Sequence, residues 1–229
     1  MPQPPSLRAA VYWAPALGDP LSIAGNSWLG RDAEHGVAVP QPPLDGLAEL
    51  TAAARVYGFH ATLRPPMRLA TGWEDFLASL RHLAAGMSPF ALPPLQVVDM
   101  AGFLALRERA PCPALHALAD ACVQATDMHR MAPTESELAK RRSAGLSAEE
   151  EALLLRWGYP HVLQHWRFHM TLSRRLSQRE MTHIRPLAEA HFAAAAAMVR
   201  QVEEVAVFTQ VDGGDFLIAE RVRLGRVLF

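Results

Sequence analysis

The sequence predicts an α+β fold of two lobes, built from duplicated strand-helix-strand-strand modules with pseudo-two-fold symmetry around a central concave cleft. Three observations predict it. The pattern Phe-His-x-Thr-Leu occurs twice, in "YGFHATLRPP" and in "WRFHMTLSRR". The same order of elements follows each copy. The two motif histidines, His60 and His169, are 109 residues apart, and the following helices and hairpins nearly keep that offset, which is the mark of an internal duplication. The 229 residues are expected to form one two-lobed domain, with repeat units at about 55–110 and 164–225 and a helical insert between them.

The elements follow in chain order. "RAAVYWAP" reads as a first strand ended at Pro15. The Gly- and Pro-punctuated region through "NSWLGRD" and "VPQPPLDG" reads as loop with a short helical turn, and "LDGLAELTAAA" as a brief helix. The first motif strand then arrives, with Pro65 and Pro66 expected to stop it. "TGWEDFLASLRHLAAGM" has apolar residues at helical spacing with Thr71 as its cap, and the strands "LQVVDM" and "FLALRER" follow it. After the second motif, "LSQREMTHIRPLAEAHFAAAAAM" is a helix with a Ser177 cap and Glu180 three residues on, which Pro186 kinks or starts late. The strands "EEVAVFTQV" and "FLIAERVRL" close the second unit around a turn at "DGG". Between the units, "PALHALADACVQATDMH", "TESELAKRRSAG" and "SAEEEALLLRWG" are helical, the last with a Ser147–Glu150 capping box, and Gly158 and Pro160 end the insert.

Half of the chain is apolar and a fifth charged, which is ordinary globular composition. The net charge is -1, so no global basic field draws the chain to nucleic acid, and any anion it handles must be held by local groups. Cys112 and Cys122, ten apart in what reads as one helix, are expected to be reduced core thiols. "MPQPPSLRAAVYW" lacks the charged region and apolar run of a secretory signal, and no apolar run approaches the ~20 residues of a membrane span. A cytoplasmic protein with no membrane partner is the expectation.

On a strand, side chains alternate faces, so His60 and Thr62 point one way while Phe59, Ala61 and Leu63 point the other. In the second copy Arg167, His169, Thr171 and Ser173 share a face. A polar strand face usually just meets solvent. A surface strand, however, has no reason to keep the same His and Thr at the same register in two diverged halves. Packing about a two-fold axis would bring both polar faces to one cleft. Imidazole, with an ordinary pKa of about 6.5, can serve there as base in one copy and acid in the other. The neutral ring removes a proton from water or a ribose hydroxyl, the imidazolium protonates the departing alkoxide, and the Thr hydroxyls hold the phosphoryl oxygens. Such a mechanism calls for no metal ion and no cofactor.

At these residues the chain resembles the two-histidine phosphoesterase superfamily, whose paired His-x-Thr signature matches "FHATL" and "FHMTL". The stretches "VYWAP", "SWLGRD", "YGFHATLRPP", "LSAEEEALLLRWGYP" and "WRFHMTL" are similar to an uncharacterised branch of it found with phosphonate-utilisation genes, and they span nearly the whole chain. The resemblance implies two lobes around a concave cleft, with His60 and His169 as the acid/base pair and Thr62 and Thr171 as phosphate-holding hydroxyls. Arg64 stands where that branch commonly has Lys, and Arg174 replaces a smaller residue.

Three further residues are candidate substrate contacts. Arg64 lies two residues past Thr62 and could pair with a phosphate bidentately, or be a solvated arginine at a strand end. Arg167 precedes His169 on the polar face and either contacts substrate or pairs with a neighbouring strand's carboxylate. Tyr12 on the first strand could stack on a base or bond a phosphate; a core-edge tyrosine is the plainer reading. His161 and His165 are four apart but straddle a strand entry with no Glu or Cys to complete a metal set. His183 and His191 read as surface or boundary residues. The basic run "AKRRS" at Lys140 is the best hint of a nucleic-acid partner, against the plainer reading of a solvated helix face.

The reading is a metal-independent phosphoesterase acting on a cyclic or linear phosphodiester, a small phosphorylated sugar or nucleotide. Its rivals are an RNA 2′,3′-cyclic phosphodiesterase or 2′,5′ RNA ligase-like enzyme, and a phosphate-ligand or RNA-binding module without turnover.

Overall fold

The computed structural model describes residues 7–143 and 145–225; residues 1–6, on which part of the amino-terminal reading falls, lie outside them. The described strands, in chain order, are β1 (Leu7–Trp13), β2 (Arg31–Asp32), β3 (Val37–Ala38), β4 (Ala61–Arg68), β5 (Phe90–Leu92), β6 (Leu95–Asp99), β7 (Phe103–Glu108), β8 (Met170–Arg175), β9 (Arg200–Val202), β10 (Glu204–Val211) and β11 (Leu217–Arg223). The helices are α1 (Pro20–Leu29), α2 (Leu47–Arg55), α3 (Trp73–Ala85), α4 (Pro113–Thr126), α5 (Glu135–Arg142), α6 (Ala148–Trp157) and α7 (Gln178–Ala196). Seven strands form one antiparallel sheet in the order β11-β10-β1-β4-β8-β7-β6, so the two motif strands are central neighbours.

Two pairings locate a two-fold axis. β4 and β8 meet at the single pair Ala61↔Met170, and the residue 109 positions after Ala61 is Met170, so this pair maps onto itself. In the two-stranded ladder of β5 and β9, Ala91 pairs Gln201 and Leu92 pairs Arg200, and the same offset takes 91 to 200 and 92 to 201. That ladder is therefore also symmetric about the axis.

The symmetry carries a feature that element order alone does not reveal. After β5 the chain enters the hairpin β6–β7, which is added to β8, the motif strand of the other unit. After β9 it enters the hairpin β10–β11, which joins the lobe of β4 through β1. Each lobe thus combines one unit's motif strand with the other unit's hairpin.

Apolar alternation builds the core. Ala61 and Leu63 of β4, Met170 and Leu172 of β8, and Val11 and Trp13 of β1 are buried in one cluster with residues of α1, α2, α3, α4 and α7. Burial on this scale, at about 25 cal/mol per Å² of apolar surface removed from water, is what holds the sheet to the helices. A smaller cluster of Ala10, Tyr12, Ala33, Phe208 and Phe216 holds alternate residues of β1 and β10 on the other face, towards the cleft.

Several local expectations are corrected. β4 runs through Pro65 and Pro66 to Arg68: the register against β1 shifts between Val11↔Arg64 and Ala9↔Met67, and the two prolines fall in that bulge, where no ladder N–H is required. The region taken as loop contains α1, capped by Asp19, whose Oδ1 accepts from the Leu21 N–H at 2.6 Å, with Pro20 in the first turn and Gly30 at φ 77° ending it. Gly25 inside α1 is needed because a Cβ there would stand 2.1 Å from the Phe59 ring, the residue before His60. Thr71 does not cap α3; Gly72 holds that position, and the Thr71 hydroxyl instead meets His129 Nδ1 at 2.6 Å. α7 starts at its Ser177–Glu180 capping box and continues past Pro186, so the late start does not occur. Both cysteines are free; Cys122 is buried, whereas Cys112 precedes the first turn of α4 and is partly exposed.

Candidate active site

Each motif histidine sits immediately before its strand, His60 before β4 and His169 before β8. The backbone there folds back so that each ring is held by the carbonyl two residues earlier. His60 Nδ1 lies 2.9 Å from Gly58 O, and His169 Nδ1 lies 2.9 Å from Arg167 O. A carbonyl only accepts, so both Nδ1 atoms carry the hydrogen and donate it. In each neutral ring the lone pair is therefore on Nε2, the atom available for proton transfer.

The Ala61↔Met170 pairing joins the two copies. Continued one residue either way in antiparallel register, it sets His60 opposite Thr171 and Thr62 opposite His169, on one face. Ala61 and Met170 are both buried in the core, so by strand alternation the His-x-Thr residues on either side of each point to the opposite face. Within the first copy, Thr62 Oγ1 lies 3.2 Å from His60 Nε2, so the hydroxyl donates to that lone pair.

The electrostatics of the two rings differ in degree. Burial holds His60 down at about 4, assisted by repulsion from His169 and opposed by the Gly58 carbonyl. His169 is lowered as well, chiefly by burial, with Arg107 and His161 also disfavouring its charge and the Arg167 carbonyl and Glu108 favouring it. Around His60, the Tyr12 ring stacks at 3.8 Å and 21°, and Phe208 stands 5.8 Å away. Around His169 the edge of Phe103 approaches, at 6.0 Å, and among the described residues no other ring stands against it.

The other predicted residues fall as follows. Tyr12 is 1% exposed and pairs with Thr62 across the β1–β4 ladder, so its ring serves as the floor against which His60 is set, not as a base-stacking surface. Arg64 is also 1% exposed: it donates to Trp157 O at 3.1 Å and to Asp127 Oδ1 at 3.2 Å. The structure thus places Arg64 in the joint between β4 and the insert, and its guanidinium is neither solvated nor open to a phosphate. Arg167 is exposed, and its guanidinium bonds Gln164 O and Trp166 O; its backbone carbonyl is what touches the site. Arg174 ion-pairs with Glu49 and Glu180. His161 and His165 lie against Glu150 and Glu149, and no group of three or more metal-ligating side chains is found among the described residues.

Tyr57 and Gly58 shape the site around His60, and the sequence reading did not single them out. Gly58 has φ 75°, and a Cβ on it would stand 2.5 Å from Ala33 Cβ, so only glycine presents this carbonyl to His60 without strain. Its signal was in view, a glycine two residues before the histidine.

Residues 62–217 match the family described as "Protein of unknown function (DUF1045)". The chain belongs to this family. Among curated relatives of this DUF1045 protein are two named "Ribose 1,5-bisphosphate phosphokinase PhnN". One, from Janthinobacterium sp. (strain Marseille), is 43% identical over 202 residues, covering 84% of this chain and 45% of its own length. The other, from Laribacter hongkongensis (strain HLHK9), is 37% identical over 213 residues, covering 91% and 49%. The chain spans about half the length of these curated relatives. Among solved structures, E. coli LigT complexed with NADP+ overlays 96% of this DUF1045 chain and 98% of its own, at 13% identity and a TM-score of 0.45. Among the described residues no helix is long and apolar enough to cross a membrane.

Proposed function

We propose that this DUF1045 protein hydrolyses a cyclic or linear phosphodiester of a small phosphorylated sugar or nucleotide by two-histidine acid/base catalysis. The observation that supports the reading is the Ala61↔Met170 pair, which makes the two His-x-Thr segments neighbours at the centre of one sheet. His60, the more depressed of the two, is the base and His169 the acid. His60 Nε2 takes a proton from water as its oxygen bonds to phosphorus. The P–O bond to the leaving group breaks, and the His169 Nε2 proton passes to the departing alkoxide. The products are a phosphomonoester and a hydroxyl, on two molecules for a linear diester and on one for a cyclic diester, and exchange with solvent resets both rings. Thr62 and Thr171 donate to the non-bridging oxygens as charge builds there.

Both rings are held below their ordinary basicity in the free cleft. The negative charge of the entering phosphate favours protonation of His169, so the substrate itself recruits the acid's proton. The phosphokinase name belongs to proteins about twice as long. The single lysine of this chain, Lys140, follows Ala139, whereas the phosphate-binding loop of many kinases requires Gly-Lys followed by Ser or Thr. That supports assigning phosphoester hydrolysis, not phosphoryl transfer from a nucleotide, to the shared segment. A place in phosphonate metabolism follows the resemblance of the sequence to the branch found with phosphonate-utilisation genes.

The test is turnover of nucleoside 2′,3′-cyclic phosphates, ribose cyclic phosphates and short RNAs ending in cyclic phosphate, with EDTA present. Activity that survives EDTA and falls ~100-fold or more in both His60→Ala and His169→Ala supports the reading, since general acid/base groups supply about 10²- to 10⁴-fold. Turnover indifferent to both substitutions sinks it. A strong preference for the RNA ends would move the assignment to an RNA cyclic phosphodiesterase.

A further inference from the structure

A second group of cations lies beside the cleft. A cavity of about 330 Å³, near the lower end of the small-molecule range, opens between the β1–β4 ladder and helices α5 and α6. Arg8, Arg68, Arg130, Lys140 and Arg141 line it, against one carboxylate, Glu137. Arg68 is bound to Glu137 and Arg130 to Asp127. Arg8 donates to the neutral Gln210 amide oxygen at 3.1 Å, and the Arg141 guanidinium lies over the Tyr159 ring, 4.6 Å from its centroid. Arg8, Lys140 and Arg141 form no ion pair with any described residue, so three cations face one cavity without carboxylates of their own. Their mutual repulsion is relieved by an anion of matching charge.

The cavity adjoins the catalytic face. Tyr57 lines it and its ring centroid stands 6.2 Å from that of His60. Arg8 lies four residues before Tyr12 on β1, roughly 13 Å away by strand rise, and Tyr12 stacks on His60. Arg8 and Arg141 both act electrostatically on the Tyr12 hydroxyl, which ties both to the face of β1 that carries the site. The basic run of α5 is therefore not merely a solvated helix face; two of its members are the wall of a pocket that starts next to a catalytic ring.

We propose that this cavity binds a second phosphate of the substrate, so that the scissile phosphodiester and a terminal phosphomonoester sit at the two ends of one sugar or nucleoside. The identity of the scissile group rests on the phosphoesterase reading above; the affinity of the cavity for a phosphomonoester does not. The volume accommodates a phosphate with part of a sugar, and Tyr57, 37% exposed, offers a ring face for the sugar or base between the two charges.

Two arms test it. In the first, kcat/KM is compared for adenosine 2′,3′-cyclic phosphate bearing a 5′-hydroxyl or a 5′-phosphate. The 5′-phosphate is expected to give at least a 10-fold gain, which Arg141→Gln and Lys140→Gln each reduce and high salt erodes. Equal rates for the two substrates overturn the proposal while leaving the phosphoesterase reading intact, and so does a stronger preference for a long RNA. In the second, calorimetric titration with ribose 5-phosphate reads the cavity without turnover. Binding is expected to weaken about 10-fold in Arg141→Gln and to persist in Arg142→Gln, whose guanidinium is held by Glu151 outside the cavity. Dependence on Arg141 without turnover of any cyclic substrate would sink the phosphoesterase reading and keep the cavity assignment. No binding, or equal binding to wild type and Arg141→Gln, overturns the assignment.

Discussion

His60 and His169 occupy equivalent places in two copies of one motif, yet their surroundings differ. The backbone is symmetric, with each Nδ1 donating to the carbonyl two residues earlier. The neighbours are not. His60 is stacked on Tyr12 and bonded by Thr62, whereas His169 meets the edge of Phe103 and stands near Arg107, Glu108 and His161. Duplication supplies two imidazoles held alike through Nδ1, and divergence of what packs against them supplies an inequality that suits the base and acid of the proposed reaction.

The largest way to break this comparison is to remove the hydroxyls it depends on. Thr62→Val and Thr171→Val should each lower kcat by about 10²- to 10³-fold with the fold intact, the usual loss for a donor to a developing oxyanion. A drop confined to KM in steady-state kinetics would mean that the hydroxyls hold the ground state only. Next comes Tyr12→Leu, which removes the stacked ring and lets water reach His60. The acid limb of the kcat/KM profile should move up from about 4 toward the ordinary histidine value, while the limb set by His169 stays. A profile unchanged on both limbs would show that Tyr12 does not govern His60.

A smaller effect is on stability against pH. The folded pKa of His60 lies below its unfolded value, and that of His169 is lowered too, so between about 4 and about 6.5 the unfolded chain binds more protons. Stability attributable to these rings is present above that window and is lost as pH falls through it. Urea denaturation at pH 7 and pH 5 should show a larger loss for wild type than for His60→Asn; equal losses would contradict the assignment. Arg64→Gln is expected to act on the joint between β4 and the insert. It should cost about 1–3 kcal/mol of stability by leaving buried groups unpaired, and far less in kcat than either threonine change, as thermal melts and kinetics would show.

The motif strands, their polar face and the duplication were legible because strand alternation has period 2 and because the offset of 109 recurs. The exchange of hairpins between lobes was not, since the order strand-helix-strand-strand is the same whichever lobe receives the last two strands. Arg64 was misread for a similar reason. Its partner, Asp127, is 63 residues away at the end of α4, and nothing local announces the pair. β4's passage through Pro65 and Pro66 depended on a bulge in its partner's register, a property of two strands and not of one. The α1 signals, Asp19-Pro20 at the start and Gly30 at the end, were present but masked by Gly25, whose role appears only when Phe59 is seen against it.

The central claim is that two imidazoles from separate copies share one cleft and feel each other's charge. Nitrogen-15 NMR titration of the histidine side chains tests it directly, in wild type and in His169→Ala. His60 should titrate near 4 with its hydrogen on Nδ1, and deleting His169 should raise that value by removing the repulsion. A His60 titration that is ordinary in wild type, or indifferent to the loss of His169, would contradict the shared cleft.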